Sequence, residues 1–223
     1  MNKILRIFAI CLFALIAADM SAQDKKDIFN PVHHSVTSQM IAPDARAAGM
    51  GDVGAATDAD ATSQYWNPAK YPFAISRAGV ALNYTPWLRQ LVNDMGVAYL
   101  SGYYRIGDYS AVSSSLRYFS LGEVQLNSKT GGTAPMTINP YEMSFDVGYS
   151  LMLSEKLSIA AAVRWIYSDL TYDYSGDTSP GSAFAADISL YYQNYLNLGS
   201  RECQLGLGMN ISNIGSKISF GGD

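Results

Sequence analysis

The sequence predicts an all-β fold, a transmembrane antiparallel up-and-down β-barrel. Apolar and polar side chains alternate with period two over stretches of about ten residues, and short turns alternate with long polar loops. Only 15% of the 223 residues are charged, whereas 12% are aromatic. A strand that crosses a bilayer at a tilt needs about nine to eleven residues. The long alternating stretches therefore favour a membrane barrel over a sandwich, whose strands are shorter.

The chain begins with the features of a secretory signal peptide, which we expect to span residues 1–22. Lys3 and Arg6 give a positive start, an apolar stretch follows over residues 7–18, and Ser21 and Ala22 offer small residues at the cleavage point. This stretch is shorter than the ~20 residues that a spanning helix needs. We therefore expect cleavage rather than a membrane anchor.

Residues 23–76 precede the first strand and show no sustained period. We divide them into a leader, residues 23–42, and a segment rich in Gly, Ala and Asp, residues 43–76. The leader holds the adjacent pair His33 and His34, whose side chains point in opposite directions in an extended chain, which disfavours joint metal binding. The second segment contains Gly-Met-Gly-Asp-Val-Gly at residues 49–54, a formal match to a dinucleotide fingerprint. Because neither a buried strand nor a βαβ unit accompanies it, we expect no nucleotide cofactor.

Seven candidate strands follow within residues 77–223. In the two clearest, residues 143–153 and 157–167, the odd positions are mostly apolar and the even positions mostly small or polar. Weaker alternation marks residues 79–84, 95–106, 110–121, 184–195 and 203–211. Turns at residues 107–108 and 154–156 are short, whereas the connections at residues 122–140 and 171–181 are long, as in outer-membrane barrels.

The hairpin around Ser154-Glu155-Lys156 can be given a register. Both apolar faces occupy odd positions, so the turn must have an odd length to keep them on one side of the sheet. A three-residue turn closing on Leu153 and Leu157 then sets Asp146 directly opposite Arg164. Such a pair stabilises a sheet by roughly 0.2 to 1 kcal/mol, and we expect Asp146→Ala to harm the protein more than Asp146→Ala combined with Arg164→Ala.

Four charged residues fall on the small, polar face of their strands: Arg117, Asp146, Arg164 and Asp187. In a barrel this face lines the interior, away from lipid. Two interpretations stay open. These side chains line a pore or hold the N-terminal segment in place, or they form a plain ladder of salt bridges.

Aromatic residues gather near the predicted strand ends. This distribution is typical of the aromatic girdles of membrane barrels, although tyrosine also favours strands in general. Toward the long loops lie Tyr84, Trp87, Tyr118, Tyr141, Trp165 and Tyr167, and toward the short turns lie Tyr103, Tyr104, Tyr192 and Tyr195.

Composition and motifs disfavour several other functions. A net charge of -4 and a pI near 5.1 provide no basic surface for nucleic acid. Residues 58–69 begin like a calcium loop but carry Ser63 and Ala69 where Gly and Glu are required. No combination of nucleophile, base and acid can be assembled. We expect no enzyme activity, no cofactor and no metal site.

The irregular segment and two later motifs resemble a known family. The run at residues 43–57 and the Asn67-Pro68-Ala69 motif, together with residues 139–143 (Asn-Pro-Tyr-Glu-Met) and 168–172 (Ser-Asp-Leu-Thr-Tyr), resemble the PorV family of the Bacteroidetes type IX secretion system. That family is related to the FadL channels, which share the glycine-rich run and the Asn-Pro-Ala motif. The resemblance covers the whole mature chain.

The resemblance implies a FadL-like barrel of fourteen strands whose residues 43–76 fold into the lumen as a hatch. The hatch motif would then comprise Gly49, Gly51, Gly54, Asn67, Pro68 and Ala69. On this basis the seven strands would form the first half of the barrel, and we expect the C-terminal half to be missing from this chain.

Two function classes follow from the resemblance. The first is an outer-membrane component of type IX secretion, which receives cargo with a conserved C-terminal domain at the translocon and delivers it to the surface attachment complex. Its partners would be cargo domains, translocon and attachment-complex proteins, and outer-membrane lipid, without nucleic acid. The second is a FadL-like channel for hydrophobic small molecules. An apolar pocket beneath the hatch would favour the channel.

Overall fold

The computed structural model describes residues 36–88, 90, 94–126, 136–170, 180–199, 201–216 and 218. The predicted signal peptide and most of the predicted leader, including His33 and His34, lie outside the described residues. In the described part of the chain, every helix is too short or too polar to cross a membrane.

Seven long strands form one antiparallel sheet that curls into a half-barrel. All seven predicted strands are confirmed, and the sheet has the order β1-β2-β3-β6-β7-β8-β9. The strands of this sheet are β1 (Ala78–Pro86), β2 (Gly96–Ile106), β3 (Ser110–Ser120), β6 (Tyr141–Ser154), β7 (Leu157–Asp169), β8 (Gly181–Leu198) and β9 (Arg201–Gly215). The sequence did not reveal a separate small hairpin in the long β3–β6 connection, formed by β4 (Val124–Leu126) and β5 (Met136–Ile138).

The segment before β1, residues 36–77, lies against one face of the sheet and is called the N-terminal segment below. It contains two short α-helices, α1 (Ala45–Gly49) and α2 (Ser63–Trp66), and two 3₁₀ turns (Thr37–Met40 and Pro68–Phe73). Asp44 caps α1 by accepting a hydrogen bond from the Ala47 amide at 2.7 Å, as expected for a residue at a helix start. The described end of the predicted leader, residues 36–42, also packs on the sheet, with Ile41 buried against Val97 and Phe119.

The two faces of the sheet differ in chemistry. The face under the N-terminal segment, called the inner face, carries the even positions of β6, where Ser144, Asp146 and Ser150 are all buried. The opposite, outer face carries the odd positions, where Val147 is 50% exposed. The alternation in the sequence therefore predicted correctly which side chains share a face.

The β6–β7 register confirms the predicted charge pair, because Asp146 lies directly opposite Arg164. The turn differs from the prediction. Ser154 pairs with Leu157 across a two-residue turn, and a register shift follows between Met152 and Ser154. A two-residue turn suits the twist of a hairpin, and a bulge absorbs the one extra residue without moving the faces.

Aromatic rings meet on the outer face near the long loops. Tyr118 and Tyr141 stack with centroids 5.6 Å apart, and Tyr141, Tyr167 and Trp165 follow at 6.0 Å spacings. Tyr103 was wrongly assigned to the opposite band, because it points inward and stacks on Tyr71 at 4.6 Å. Its odd position on β2 belongs to the inner face.

Candidate functional site: the seat of the N-terminal segment

Side chains of the sheet bind the backbone of the N-terminal segment along its length. Four strands (β1, β2, β3 and β7) contribute donors, and their partners in the segment are main-chain carbonyl oxygens, which helices and strands would otherwise satisfy. The donor and acceptor pairs are Thr85 to Pro43 (3.2 Å), Ser101 to Ala61 (2.8 Å), Arg105 to Ala74 (2.8 Å), Arg117 to Ser38 and to Ile41 (2.7 Å for the latter), and Ser158 to Ala69. The inner face therefore supplies hydrogen-bond donors to the carbonyl oxygens of an irregular chain.

A buried charge cluster lies on the inner face of the sheet. Arg164 on β7 contacts Asp146 on β6 at 3.3 Å and Asp187 on β8 at 2.7 Å. Asp146 also accepts hydrogen bonds from Ser115 at 2.9 Å and from Gln64 of the N-terminal segment at 2.6 Å. One guanidinium therefore joins three strands, and one carboxylate joins the sheet to the N-terminal segment.

A bulge in β9 completes the cluster. The register between β8 and β9 shifts near Asp187, and Asn213 adopts a φ of 60° there, a conformation that Asn tolerates better than most residues. The backbone N–H of Asn213 donates to Asp187 Oδ1 at 2.7 Å, and the Asn213 side-chain oxygen accepts from Arg164 at 2.6 Å. The bulge supplies Asp187 with a second donor and Arg164 with a third acceptor.

Arg117 lies apart from this cluster and is held differently. It is 2% exposed, and its Nη2 donates to the carbonyls of Ser38 and Ile41. Its guanidinium also lies over the Tyr65 ring, 5.5 Å from the centroid, a favourable cation–π contact. Ser38, Ile41 and Tyr65 all belong to the N-terminal segment, so these contacts join Arg117 to that segment rather than to another strand.

Asn67 binds both another part of the N-terminal segment and strand β8. Its side-chain nitrogen Nδ2 donates to Ala55 O at 2.9 Å and to Leu190 O on β8 at 3.0 Å. Its side-chain oxygen Oδ1 accepts from the backbone N–H of Ala69 at 3.0 Å. Pro68 begins the following 3₁₀ turn, where its missing N–H costs nothing. Ala69 is fully buried against Ala160 and Tyr191. The Asn-Pro-Ala motif is thus the point at which the segment is fastened to β7 and β8.

Two glycines of β9 allow the backbone of the N-terminal segment to approach this strand closely. A Cβ at Gly208 would lie 1.9 Å from Ala55 O, and a Cβ at Gly206 would lie 2.7 Å from Ala56 O. Real Cβ atoms do not approach oxygen so closely, so only glycine permits this contact.

The glycines of the predicted motif have three different surroundings. A Cβ at Gly54 would lie 2.2 Å from the Trp66 ring, so this position is closely packed. Gly51 has a φ of 80°, which favours glycine. Gly49 ends α1, and a Cβ added there would meet no heavy atom within 4 Å.

Lys70, next to the motif, is buried in the N-terminal segment. Its ammonium donates to Gly54 O at 2.7 Å and to the Thr57 hydroxyl at 3.2 Å. Burial lowers the pKa of Lys70 to about 8, against the opposing attraction of Asp60. The Lys70 ammonium therefore bridges residues 54 and 57, although burial disfavours its charged form.

Sequence reasoning placed Arg117, Asp146, Arg164 and Asp187 on one face, and the structure brings the last three together while Arg117 stands alone. It missed Gln64, Asn213 and Gly208, whose roles depend on contacts between distant parts of the chain. Within the described residues, no group of three or more His, Cys, Asp or Glu side chains is placed to hold a metal ion. The arrangement is suited to retaining a segment.

A curled antiparallel sheet with an apolar outer face and a polar inner face, covered by the protein's own N-terminal segment, defines a class: β-barrel proteins with an occupied interior. The family model described as "Type IX secretion system protein PorV" matches residues 13–223. The chain belongs to the PorV family and is a type IX secretion system protein. Comparison with curated proteins gives no match.

Proposed function

We propose that this protein is the outer-membrane component of type IX secretion that receives cargo with a conserved C-terminal domain and delivers it to the surface attachment complex. Membership of the PorV family supports this assignment. The proposed partners are cargo domains, translocon proteins and attachment-complex proteins. We expect no catalytic step, because the contacts of the inner face serve to hold the N-terminal segment.

In this proposal the N-terminal segment is a hatch that stays in place while cargo is handled elsewhere on the barrel. The single observation that supports it best is the set of buried hydrogen bonds through which Gln64, Asn67 and Arg117 join the segment to the inner face of the sheet. A channel for hydrophobic molecules would need an apolar passage at this position. The buried charges around Arg164 disfavour such a passage.

The proposal places the protein in the outer membrane, with the outer face against lipid. Exposed side chains such as Val80, Leu100, Phe145 and Val163 give this face the composition that hydrocarbon favours. We expect the full-length protein to fractionate with outer membrane and to migrate faster on a gel when unheated than when boiled. A soluble protein that migrates equally fast whether or not it is boiled would contradict this placement.

A clean deletion strain tests the export function. We expect cargo to be synthesised normally but not attached to the cell surface, as measured by immunoblotting of surface and soluble fractions. Complementation with the wild-type gene is the control. Normal surface cargo in the deletion strain, together with lost growth on a hydrophobic carbon source, would move the assignment to the FadL-like channel.

A further inference from the structure

A shallow apolar depression lies on the outer face over β1, β2, β3 and β6. Its volume is about 640 Å³, within the range of small-molecule sites. Gly102 and Ser114, which pair directly across β2 and β3, form its floor. The larger side chains around them form the rim: Val80, Leu100, Tyr104, Val112, Leu116, Phe145 and Val147. The depression exists because two small residues meet where the surrounding positions carry large ones.

The floor is apolar even though it contains a serine. The Ser114 hydroxyl donates to the backbone oxygen of Asp146 on β6 at 2.9 Å. Since its proton is used within the sheet, the hydroxyl needs no partner from outside. An occupant of the depression therefore meets a hydrocarbon-like surface.

A cation lies at one end of the depression. The exposed Arg77 places its guanidinium 5.4 Å from the centroid of the Tyr104 ring, and Tyr104 is part of the rim. Among the described residues, the three salt bridges do not involve Arg77. Tyr104 is two residues from Gly102 along β2, a distance of about 7 Å. The site thus combines an apolar trough with an exposed cation at the end nearest the short turns.

We propose that this depression binds a phospholipid, with one acyl chain over Gly102 and Ser114 and the phosphate against Arg77. The inference rests on the proposed membrane location. A guanidinium binds phosphate through two parallel hydrogen bonds, and a tyrosine suits the boundary between headgroups and hydrocarbon. A trough offers an acyl chain more van der Waals contacts than a flat strand face does. The cation favours a lipid, because an apolar ridge of another protein would leave Arg77 without a partner.

Filling the depression tests the acyl-chain part of the proposal. The full-length protein is reconstituted in nanodiscs of phosphatidylethanolamine and phosphatidylglycerol, extracted into detergent, and examined by native mass spectrometry for retained lipid. We expect Ser114→Leu to reduce retention about tenfold, equivalent to roughly 1.4 kcal/mol. Ala161→Leu adds similar bulk at an exposed position of β7 outside the depression, and we expect it to retain lipid like the wild type. Gly102→Ala is a second, smaller filling, whose Cβ would lie 3.3 Å from Gly79 O.

Removing the cation tests the phosphate part. We expect Arg77→Gln to reduce retention about tenfold, because a charge-assisted hydrogen bond is lost. Arg201→Gln, at an exposed position of β9 also near a short turn, is the control and should have no effect. Faster migration of unheated samples verifies that each variant is folded.

Equal retention in Ser114→Leu, Gly102→Ala and Ala161→Leu would overturn the proposed site, and unchanged retention in Arg77→Gln would overturn the phosphate contact. Cargo attachment in the deletion strain is a separate readout. A wild-type protein that inserts in membranes and restores attachment but retains no lipid contradicts only this inference.

Discussion

The inner face of the sheet buries charged and polar side chains, whereas the outer face exposes apolar ones. Asp146 and Asp187 on the inner face are 4% and 2% exposed, whereas Val163 on the outer face is 61% exposed. A soluble protein shows the reverse distribution. The difference shows that burial in this sheet is not a measure of hydrophobic stabilisation. The inner face depends on its buried charges having partners, as Asp146, Arg164 and Asp187 do, and the outer face depends on what surrounds the protein.

The two faces should therefore fail in different ways. On the inner face, removing one partner leaves a buried charge or carbonyl unsatisfied, which costs more than the lost hydrogen bond itself. On the outer face, removing a methyl group matters little, while adding a charge is costly in lipid. Substitutions on the two faces therefore separate these two kinds of failure.

We expect the largest effect from Arg164→Met. This change leaves Asp146 and Asp187 buried without their shared cation, and breaking a buried ion pair costs about 3–5 kcal/mol. The measurement is denaturant unfolding of the reconstituted protein. Arg46→Met is the matched control, because Arg46 forms an exposed salt bridge with Asp60 at 2.6 Å and such pairs contribute about 0–1 kcal/mol. Equal losses in the two variants would contradict the distinction between a buried cluster and a surface pair.

The cluster also changes the expectation for the double variant of Asp146 and Arg164. The sequence suggested an isolated pair, for which removing both partners would be milder than removing Asp146 alone. In the structure Arg164 also binds Asp187 and Asn213. Removing both Asp146 and Arg164 would leave Asp187 without its cation, so we expect the double variant to be no milder than Asp146→Ala.

The outer face is tested by Val163→Arg. An arginine at the lipid face near mid-membrane costs about 2–4 kcal/mol, so folding into lipid vesicles should become less favourable by that amount. Val163→Leu, which changes shape without adding charge, should fold like the wild type. If the arginine and leucine variants fold equally well into vesicles, the outer face does not meet lipid.

A smaller effect is expected from Gly208→Ala, which tests the close contact between β9 and the N-terminal segment. The added methyl would collide with Ala55 O, and relieving such overpacking costs typically about 1–3 kcal/mol. The segment should then be cleaved faster in limited proteolysis of the reconstituted protein. Gly49→Ala, where the added methyl meets no neighbour within 4 Å, should leave the cleavage rate unchanged. Identical rates in the two variants would place residues 55–56 elsewhere.

The smallest effect concerns pH. Because burial lowers the pKa of Lys70 to about 8, the unfolded chain binds a proton more tightly than the folded one between pH 8 and the ordinary lysine pKa near 10.4. Stability of the segment should therefore rise with pH through that window, by about 1 kcal/mol between pH 8 and 9. Lys70→Met should remove this rise in a proteolysis series. A rise of the same size in Lys70→Met would assign it to another group.

The sequence predicted the strands and their faces because period-two alternation is a local signal. It also predicted the Asp146–Arg164 register, since the faces of a single hairpin restrict the pairing. It did not predict Gln64, Asn213 or Gly208. Gln64 and Gly208 meet partners far along the chain, and a residue in an irregular segment carries no period that would indicate its neighbour. The bulge at Asn213 depends on satisfying Asp187, which only the assembled sheet reveals.

The attachment of Asn67 to β8 also fixes an order of events in folding. Its partner Leu190 lies 123 residues later in the chain, and Asp58 meets Gln204 across 146 residues. Contacts this distant form slowly, because closing so long a loop costs chain entropy before the contact is made. The N-terminal segment is synthesised before every strand, yet its contacts through Asn67 and Asp58 can form only after β8 and β9 have joined the sheet. Until then Asn67 and Asp58 lack these partners, and the segment is held only by the strands already in place.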